Sequence, residues 1–404
     1  MVRRAFTNPF RPGAGHMPPY LAGRENEKRE FHRLLEQDVI IENMVLTGLR
    51  GVGKTVLLDT FKPAGIEAGW LWAGTDLSEA TSITEETMAL RLITDLSVIT
   101  SGIMVHSEDV RRIGFRTRTD RTELRLDFDV LWGVYQHTPG LASDKLKHVL
   151  EMVWNQLKRL KKRGVVFAYD EAQNLADHAS EKEFPLSLLL DVFQSLQKRD
   201  VPFMLVLVGL PTLFPKLVEA RTFAERMFHV VFLDRLSDAD SREAILRPIR
   251  DSKCPLKLSD RSLQEIIDLA GGYPYFIQFI CRDVYDAFLQ QIETDQAPTI
   301  PIEEITRKLD TDFFAGRWAR ATDRQRELLQ VIAGVENASD EFSVHGIAEK
   351  SRSLLKKPFS ASHISQMLAA LCSAGLVYRN RHGRYSFAVP LLDRFILRQP
   401  MENP

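Results

Sequence analysis

The stretch Val45-Leu46-Thr47-Gly48-Leu49-Arg50-Gly51-Val52-Gly53-Lys54-Thr55 constrains this chain more than any other. The apolar run Met44 to Leu46 reads as a short buried strand, a glycine-rich turn follows, and Val56 to Phe61 has the apolar periodicity of a helix start. Gly48, Gly53, Lys54 and Thr55 fit the phosphate-binding spacing G-x-x-x-x-G-K-[ST]. Glycines allow backbone N–H groups to turn inward around a phosphate, and the following helix points its positive end at the anion. Gly48, Leu49, Arg50, Gly51, Val52, Gly53 and Val56 are therefore expected to supply the cradle. Lys54 is expected to reach the β/γ-phosphates, and Thr55 to place its hydroxyl on Mg²⁺.

A second motif complements the first. Val165-Val166-Phe167-Ala168-Tyr169-Asp170-Glu171 reads as a buried strand that delivers two carboxylates at its C-terminal end. In a parallel sheet that end lies beside the phosphate loop. Asp170 is expected to hold Mg²⁺ and Glu171 to polarise the attacking water as a general base.

The surrounding pattern sets the fold class. Gly69 to Gly74, Val201 to Gly209 and His229 to Leu233 read as further strands, interleaved with helical stretches such as Ala142 to Lys162 and Phe184 to Gln197. Strands apolar on both faces and alternating with helices predict an α/β, three-layer αβα architecture on a parallel sheet. Residues 76–140 are less regular: Leu90 to Val98 looks helical, and Arg111 to Tyr135 is basic and alternating, as in an exposed hairpin or variable loop.

At 404 residues two or three domains are the natural expectation. A net charge of −1 excludes a globally basic nucleic-acid binder, so any such contact must be a local patch. No apolar run approaches a membrane span, and no hydrophobic signal region follows Arg3 and Arg4, so a cytoplasmic protein without membrane contact is expected. Cys254, Cys281 and Cys372 lack metal-ligand spacing and read as small buried hydrophobes.

The chain divides as follows. Residues 1–22 form a Pro/Gly-rich arm whose Phe10, Tyr20 and Leu21 argue that it packs on something. Residues 23–234 form the nucleotide-binding domain, and residues 235–300 hold only helical patterns, broken at Gly271-Gly272-Tyr273-Pro274. Residues 318–398 read as three helices and a hairpin, the pattern of a winged helix-turn-helix, with Ser360 as an N-cap. Ser362, His363 and Gln366 on the third helix would read a DNA groove, and Arg379, Arg381 and Arg384 at the hairpin tip would contact phosphates. Lys350, Arg352, Lys356, Lys357, Arg394 and Arg398 add positive charge, against Glu349 and Asp393.

The phosphate loop, the Asp-Glu strand, the helical lid and the winged helix together resemble the AAA+ superfamily. Within it the chain is similar to the origin-recognition and cell-division-control initiator clade and to the signal-transduction ATPases with numerous domains (STAND). Asp170-Glu171-Ala172-Gln173-Asn174-Leu175 also resembles the carboxylate strand of transposition-regulator ATPases, and Gly271-Gly272-Tyr273-Pro274-Tyr275 resembles the lid turn of the signal-transduction ATPases. The resemblance implies that Tyr20, Leu21, Gly23 and Arg24 lie against the adenine and that Pro274 borders the nucleotide. It also implies that Arg226, with Arg221 as the alternative, reaches the γ-phosphate of a neighbouring subunit in an oligomer. Two positions depart from the initiator pattern. Thr212 is the one polar candidate near the end of the fourth strand, and tyrosines stand where the lid carries an arginine, leaving Arg282 as a distant substitute. The implied function is a slow ATPase that uses ATP and Mg²⁺, a molecular switch whose nucleotide state changes the angle between sheet domain and lid. That change would control DNA binding or assembly through the winged helix. The second reading is a STAND-like signalling or defence ATPase whose winged helix makes protein–protein contacts.

Overall fold

The computed structural model describes residues 7–106, 123–293, 300–381 and 383–400. The chain forms two compact units. One comprises Arg24–Gly48 and Lys54–Leu233; the other takes the residues up to Gly23, the short segment Leu49–Gly53, and the residues from Asp234 onward.

The first unit is built on strands β1 (Asn43–Gly48), β2 (Trp70–Ala73), β3 (Met104–His106), β4 (Glu123–Arg125), β5 (Gly164–Tyr169), β6 (Phe203–Gly209) and β7 (Phe228–Leu233). Five of them make one sheet in the order β2-β5-β6-β1-β7, every pairing parallel. β1, β5 and β6 are buried along their whole length, which is why they read as unbroken apolar runs. Strand β7 is an edge and leaves Val230 and Phe232 exposed. Flanking helices complete the expected three-layer α/β fold. Helices Glu85–Thr100, Ala142–Arg159 and Pro185–Gln197 supply one large apolar cluster with the sheet. Helices Glu25–Leu35 and Lys54–Glu67 meet through Phe31 and Phe61, stacked with ring centroids 4.2 Å apart.

The alternating reading of Arg111 to Tyr135 needs correction in its second half. Phe128–His137 is a helix: Asp127 caps it by accepting the Val130 N–H at 3.1 Å, and Leu131, Val134 and Tyr135 recur at helical spacing on its buried side. Residues 111–122 lie outside the described residues; the strands that precede and follow them, β3 and β4, pair antiparallel.

A buried amide pair ties the sheet together at its N-terminal end. Asn43 Nδ2 donates to Gln197 Oε1 and to the Met227 carbonyl, each at 3.1 Å. Asn43 Oδ1 accepts from Gln197 Nε2 at 2.9 Å and from the Leu205 N–H at 2.7 Å, while Gln197 Nε2 also donates to the Phe203 carbonyl at 2.7 Å. One fully buried side chain thus fastens β1 to β6, to the start of β7 and to helix Pro185–Gln197.

In the second unit, helices Asp238–Asp251, Asp260–Ala270 and Pro274–Glu293 pack around Ile245, Ile266, Ile277 and Ile280. The N-terminal arm packs on this group, as its apolar residues suggested: Phe10 is buried, Asn8 Nδ2 donates to the Arg282 carbonyl at 3.0 Å, and Gln278 Oε1 accepts the Arg11 N–H at 3.2 Å. Residues 294–299 lie outside the described residues, and after them the chain is again helical through Ile302–Leu309 and a π-helical turn at Asp310–Ala315. Helix Asp323–Ala333, strand β8 (Phe342–Ser343), helices Val344–Leu354 and Ala361–Ser373, and strands β9 (Val377–Arg381) and β10 (Arg384–Phe387) follow. The antiparallel sheet runs β8-β10-β9, so the last two strands form a hairpin and β8 pairs with β10. The hairpin tip is shorter than expected, because Arg379–Arg381 and Arg384 belong to the strands. Cys281 is buried as expected, but Cys254 and Cys372 are only half-buried.

The Asn43 network predicts an unusually costly polar-to-apolar substitution. Asn43→Leu leaves the Leu205 N–H, the Met227 carbonyl and Gln197 short of partners, each worth about 1–3 kcal/mol when unpaired in the interior. A stability loss of about 2–4 kcal/mol is expected in urea unfolding. A loss below about 1 kcal/mol would contradict the assigned role of the pair.

Candidate functional site

The phosphate-loop glycines are required where the backbone turns left-handed. Gly51 and Gly53 have φ of +79° and +94°, whereas Gly48 closes β1 as a buried strand residue. Helix Lys54–Glu67 begins directly after the turn, so its first N–H groups face the loop. Lys54 Nζ donates across the turn to the Gly48 carbonyl at 2.8 Å. Leu49 and Arg50 are half-buried and exposed, Val52 is buried, and Thr55 and Val56 are half-buried.

Strand β5 delivers Asp170 to Thr55. The Thr55 hydroxyl donates to Asp170 Oδ2, and Asp170 Oδ1 accepts the Glu171 N–H at 2.7 Å. Asp170 is only 4% exposed, and its backbone is pinned on both sides: its N–H donates to the Thr75 carbonyl at 3.2 Å and its carbonyl accepts the Leu77 N–H at 2.9 Å. Burial pushes the Asp170 carboxyl above its ordinary range, the Thr55 and Glu171 donors oppose that, and the Glu171 and Asp76 charges reinforce it. A hydroxyl and a carboxylate side by side, in a place where negative charge is poorly solvated, are a donor set suited to a hard, oxygen-seeking dication. Among the described residues no cluster of three or more His, Cys, Asp or Glu could hold a metal by itself, so an ion here would draw its other ligands from phosphate oxygens and water.

Glu171 follows with φ +52° and ψ +31°, the left-handed conformation, and is exposed. Gln173 Nε2 donates to Glu171 Oε2, and Gln173 Oε1 accepts the Leu210 N–H at 3.0 Å. Sequence reasoning overlooked Gln173, because the motif exposes its position while only the fold brings the end of β6 to it. Thr212 lies at the start of helix Leu213–Ala220 without a side-chain capping bond.

Residues grouped in the second unit gather separately. Tyr275 N–H donates to the Gly51 carbonyl at 3.2 Å, which brings the start of helix Pro274–Glu293, and with it Pro274, to the tip of the phosphate loop. Sequence reasoning did not foresee this backbone bond. Tyr20 lies under the Arg247 guanidinium, 4.1 Å from the ring centre, and Leu21 and Gly23 are half-buried. Arg24, in the first unit, is buried and pairs with Glu27 at 3.3 Å. Arg282 pairs with Asp283 at 2.9 Å and lies on the Phe279 ring, so it is committed within its own helix.

The two candidate trans-acting arginines differ. Arg221 makes a two-pronged bond to Asp191, with Nε–Oδ1 at 2.8 Å and Nη2–Oδ2 at 2.7 Å. Arg226 is exposed and lines a shallow recess with Ile40, Ile41, Gln194 and Phe223. That recess lies where β1 and β7 begin, one strand length from the phosphate loop at their far end, so Arg226 is not brought to Thr55 or Asp170 of its own chain.

On the C-terminal unit, Ser362 and Gln366 are exposed, and Ser360 caps the helix by accepting the His363 N–H at 3.3 Å. The His363 ring is half-buried against Phe359, at 5.7 Å, rather than freely presented. Arg379 and Arg384 are exposed; the side chain of Arg381 and residue His382 lie outside the described residues. The basic surface is smaller than its sequence count: Arg394 donates to the Asp268 carbonyl and Arg398 pairs with Asp310.

Among the described residues no helix is long and apolar enough to cross a membrane. Residues 20–218 match the AAA ATPase domain family, and residues 311–396 match a domain of unknown function, DUF8462. No curated protein matches the chain. Among solved structures, the Walker-type ATPase paby2304 of Pyrococcus abyssi is similar in fold, with a TM-score of 0.57 at 16% identity over 93% of this chain and 96% of that one. The Aeropyrum pernix ORC2 protein in its ADPNP–ADP complexes gives a TM-score of 0.49 at 16% identity, covering 98% of this chain and 95% of that one. The Aeropyrum pernix ORC1 protein in complex with DNA gives 0.46 at 16% identity, covering 95% and 94%. With its phosphate loop and Asp-Glu strand on one parallel sheet, the matched segment, residues 20–218, is an AAA ATPase domain.

Proposed function

We propose that the protein is a slow, cytoplasmic, ATP-hydrolysing switch whose nucleotide state controls the grip of its C-terminal winged helix on duplex DNA. The observation that carries the reading is the bond between Thr55 and Asp170, which joins the end of the phosphate loop to the carboxylate strand. Gly48 to Val56 hold the phosphates, Lys54 neutralises the β/γ oxygens, and Thr55 and Asp170 hold Mg²⁺. The ion supplies charge neutralisation at the phosphates. Glu171 takes a proton from water as its oxygen bonds to the γ-phosphorus; the bond to the β–γ bridging oxygen breaks, and ADP and phosphate leave. Tyr20, Leu21, Gly23, Arg24 and Pro274 border the base.

Contacts within the second unit support this coupling. Gly51 bonds Tyr275, whose ring meets Phe313 at 5.2 Å, next to Phe314 in the π-helical turn, and Phe314 packs on Phe395 of helix Leu392–Leu397 at 5.4 Å. Ser362, Gln366, Arg379, Arg381 and Arg384 are the proposed DNA contacts, with His363 in a supporting place.

A second reading has one observation in its favour. Arg394 and Arg398 are spent on Asp268 and Asp310, and Leu391 packs close to Gly271, as expected of a winged helix that serves as an internal brace in a STAND-like ATPase. Nucleotide-driven assembly in light scattering, with no salt-sensitive DNA binding, would select it.

Filter binding of duplex DNA separates these readings. With wild type, affinity is expected to differ between ATP and ADP, and Lys54→Ala is expected to remove the difference. Arg379→Ala and Arg384→Ala should each lower the log–log salt slope by about 1. Equal binding by wild type in ATP and ADP and by the variant removes the coupling.

The arginines give an independent test of self-association. Arg221→Ala should cost up to about 1 kcal/mol of stability, the range of a half-exposed ion pair, and Arg226→Ala none. Arg226→Ala should instead lower hydrolysis by about 10³-fold or more. Mixing it with Glu171→Gln should restore part of the rate, because one protein keeps its base and the other its finger. No recovery on mixing would place Arg226 outside the reaction.

A further inference from the structure

Glu171 is an exposed carboxylate on a flexible side chain, an unpromising base unless something fixes it. What fixes it is in the same motif. Gln173 uses both ends of its amide: Nε2 donates to Glu171 Oε2, and Oε1 accepts the Leu210 N–H at 3.0 Å, just beyond β6. Room for this bridge comes from Gly209, where a Cβ would stand 2.6 Å from Gln173 Oε1. The backbone beneath the bridge is secured by other groups. Lys216 Nζ donates to the Gln173 carbonyl at 2.6 Å, Asn174 Nδ2 donates to the Leu77 carbonyl at 2.8 Å, and Ala172 is fully buried. The loop therefore keeps its course without the Gln173 side chain, whose amide is left with Glu171 and the end of β6.

We propose that Gln173 is a positioning residue for hydrolysis, a brace that holds the Glu171 carboxylate in register with the C-terminal end of β6. The proposal rests on the reading of Glu171 as the general base. With Oε2 occupied by the amide, Glu171 Oε1 has no hydrogen bond among the described residues and is the oxygen that accepts the proton of water. Asparagine is one methylene too short to span Glu171 and Leu210 together, and glutamate at this position sets two carboxylates against each other.

Hydrolysis kinetics on the full chain test the brace, with nucleotide affinity and thermal melting measured alongside. Gln173→Ala, Gln173→Asn and Gly209→Ala should each lower kcat about tenfold, equivalent to about 1.4 kcal/mol of transition-state stabilisation. Mg·ATP affinity should stay within about twofold, the pattern of an interaction felt in the transition state alone. Gln173→Glu should lower kcat at least as far, because a second carboxylate can neither donate to Glu171 nor rest beside it. A merely structural role for Gln173 would instead lower the melting temperature and Mg·ATP affinity together with kcat. Wild-type kcat in Gln173→Ala, with Glu171→Gln inactive, overturns the brace and spares the base. Full activity of Glu171→Gln overturns the base assignment and the brace with it.

Discussion

Everything chemical in this chain depends on β6 lying between β1 and β5. Neighbouring strands are about 4.8 Å apart, so the strand that feeds the phosphate loop and the strand that carries Asp170 are separated by about 10 Å. Had β1 and β5 been adjacent, their loops would have closed on each other and left no room at the end of the sheet for a phosphate and its ion. The Thr55 side chain spans the opening to reach Asp170, and β6 stops at Gly209, a residue without a side chain to obstruct it. The parallel arrangement buries both faces of all three strands. Their order therefore cannot shift without exposing the core, and the spacing of the site is as stable as the fold.

That dependence explains what was legible in the sequence. The phosphate loop and the Asp-Glu strand are local: a turn requiring glycine, a helix start and an apolar run with charge at one end. Gln173 was printed in the motif, yet its partner Leu210 lies 37 positions away and contributes only a backbone N–H, which no side-chain pattern records. Asn43 and Gln197 are similarly hidden, two polar residues 154 positions apart whose meaning is each other. The helix Phe128–His137 was masked by the basic alternation before it. Strand β8, at Phe342–Ser343, is too brief for periodicity to register and exists because β10 gives it a partner.

Charge was the least transferable quantity between sequence and structure. Counting cations along residues 350–398 gave a strongly basic unit, but a cation contributes to an external field only if nothing nearby cancels it. Arg398 is answered by Asp310, from a segment outside that count, and Arg394 caps a backbone carbonyl. Of the exposed cations that remain, Arg352 ends helix Val344–Leu354, Lys356 and Lys357 lie in the loop before helix Ala361–Ser373, and Arg379 and Arg384 lie on the hairpin after it. These charges lie before and after that helix in the chain, whereas the spent arginines fasten the C-terminal helix to the rest of its unit. The same module thus carries a fastened side and a presented side, and the two readings of its role correspond to these two sides.

The two acidic residues that follow β5 end in opposite circumstances for a single backbone reason. A strand alternates its side chains, and continuing β5 through Glu171 would only have placed its carboxylate on the other face of the sheet, inside the packed layer. The left-handed turn at Glu171 costs about 1–2 kcal/mol for a residue with a Cβ. It persists because the Asp170 carboxylate accepts the Glu171 N–H and Asn174 N–H closes back on the Glu171 carbonyl at 3.0 Å. One peptide unit therefore separates a carboxylate withdrawn from water from one delivered to it, and the strain held at Glu171 is what keeps the two apart.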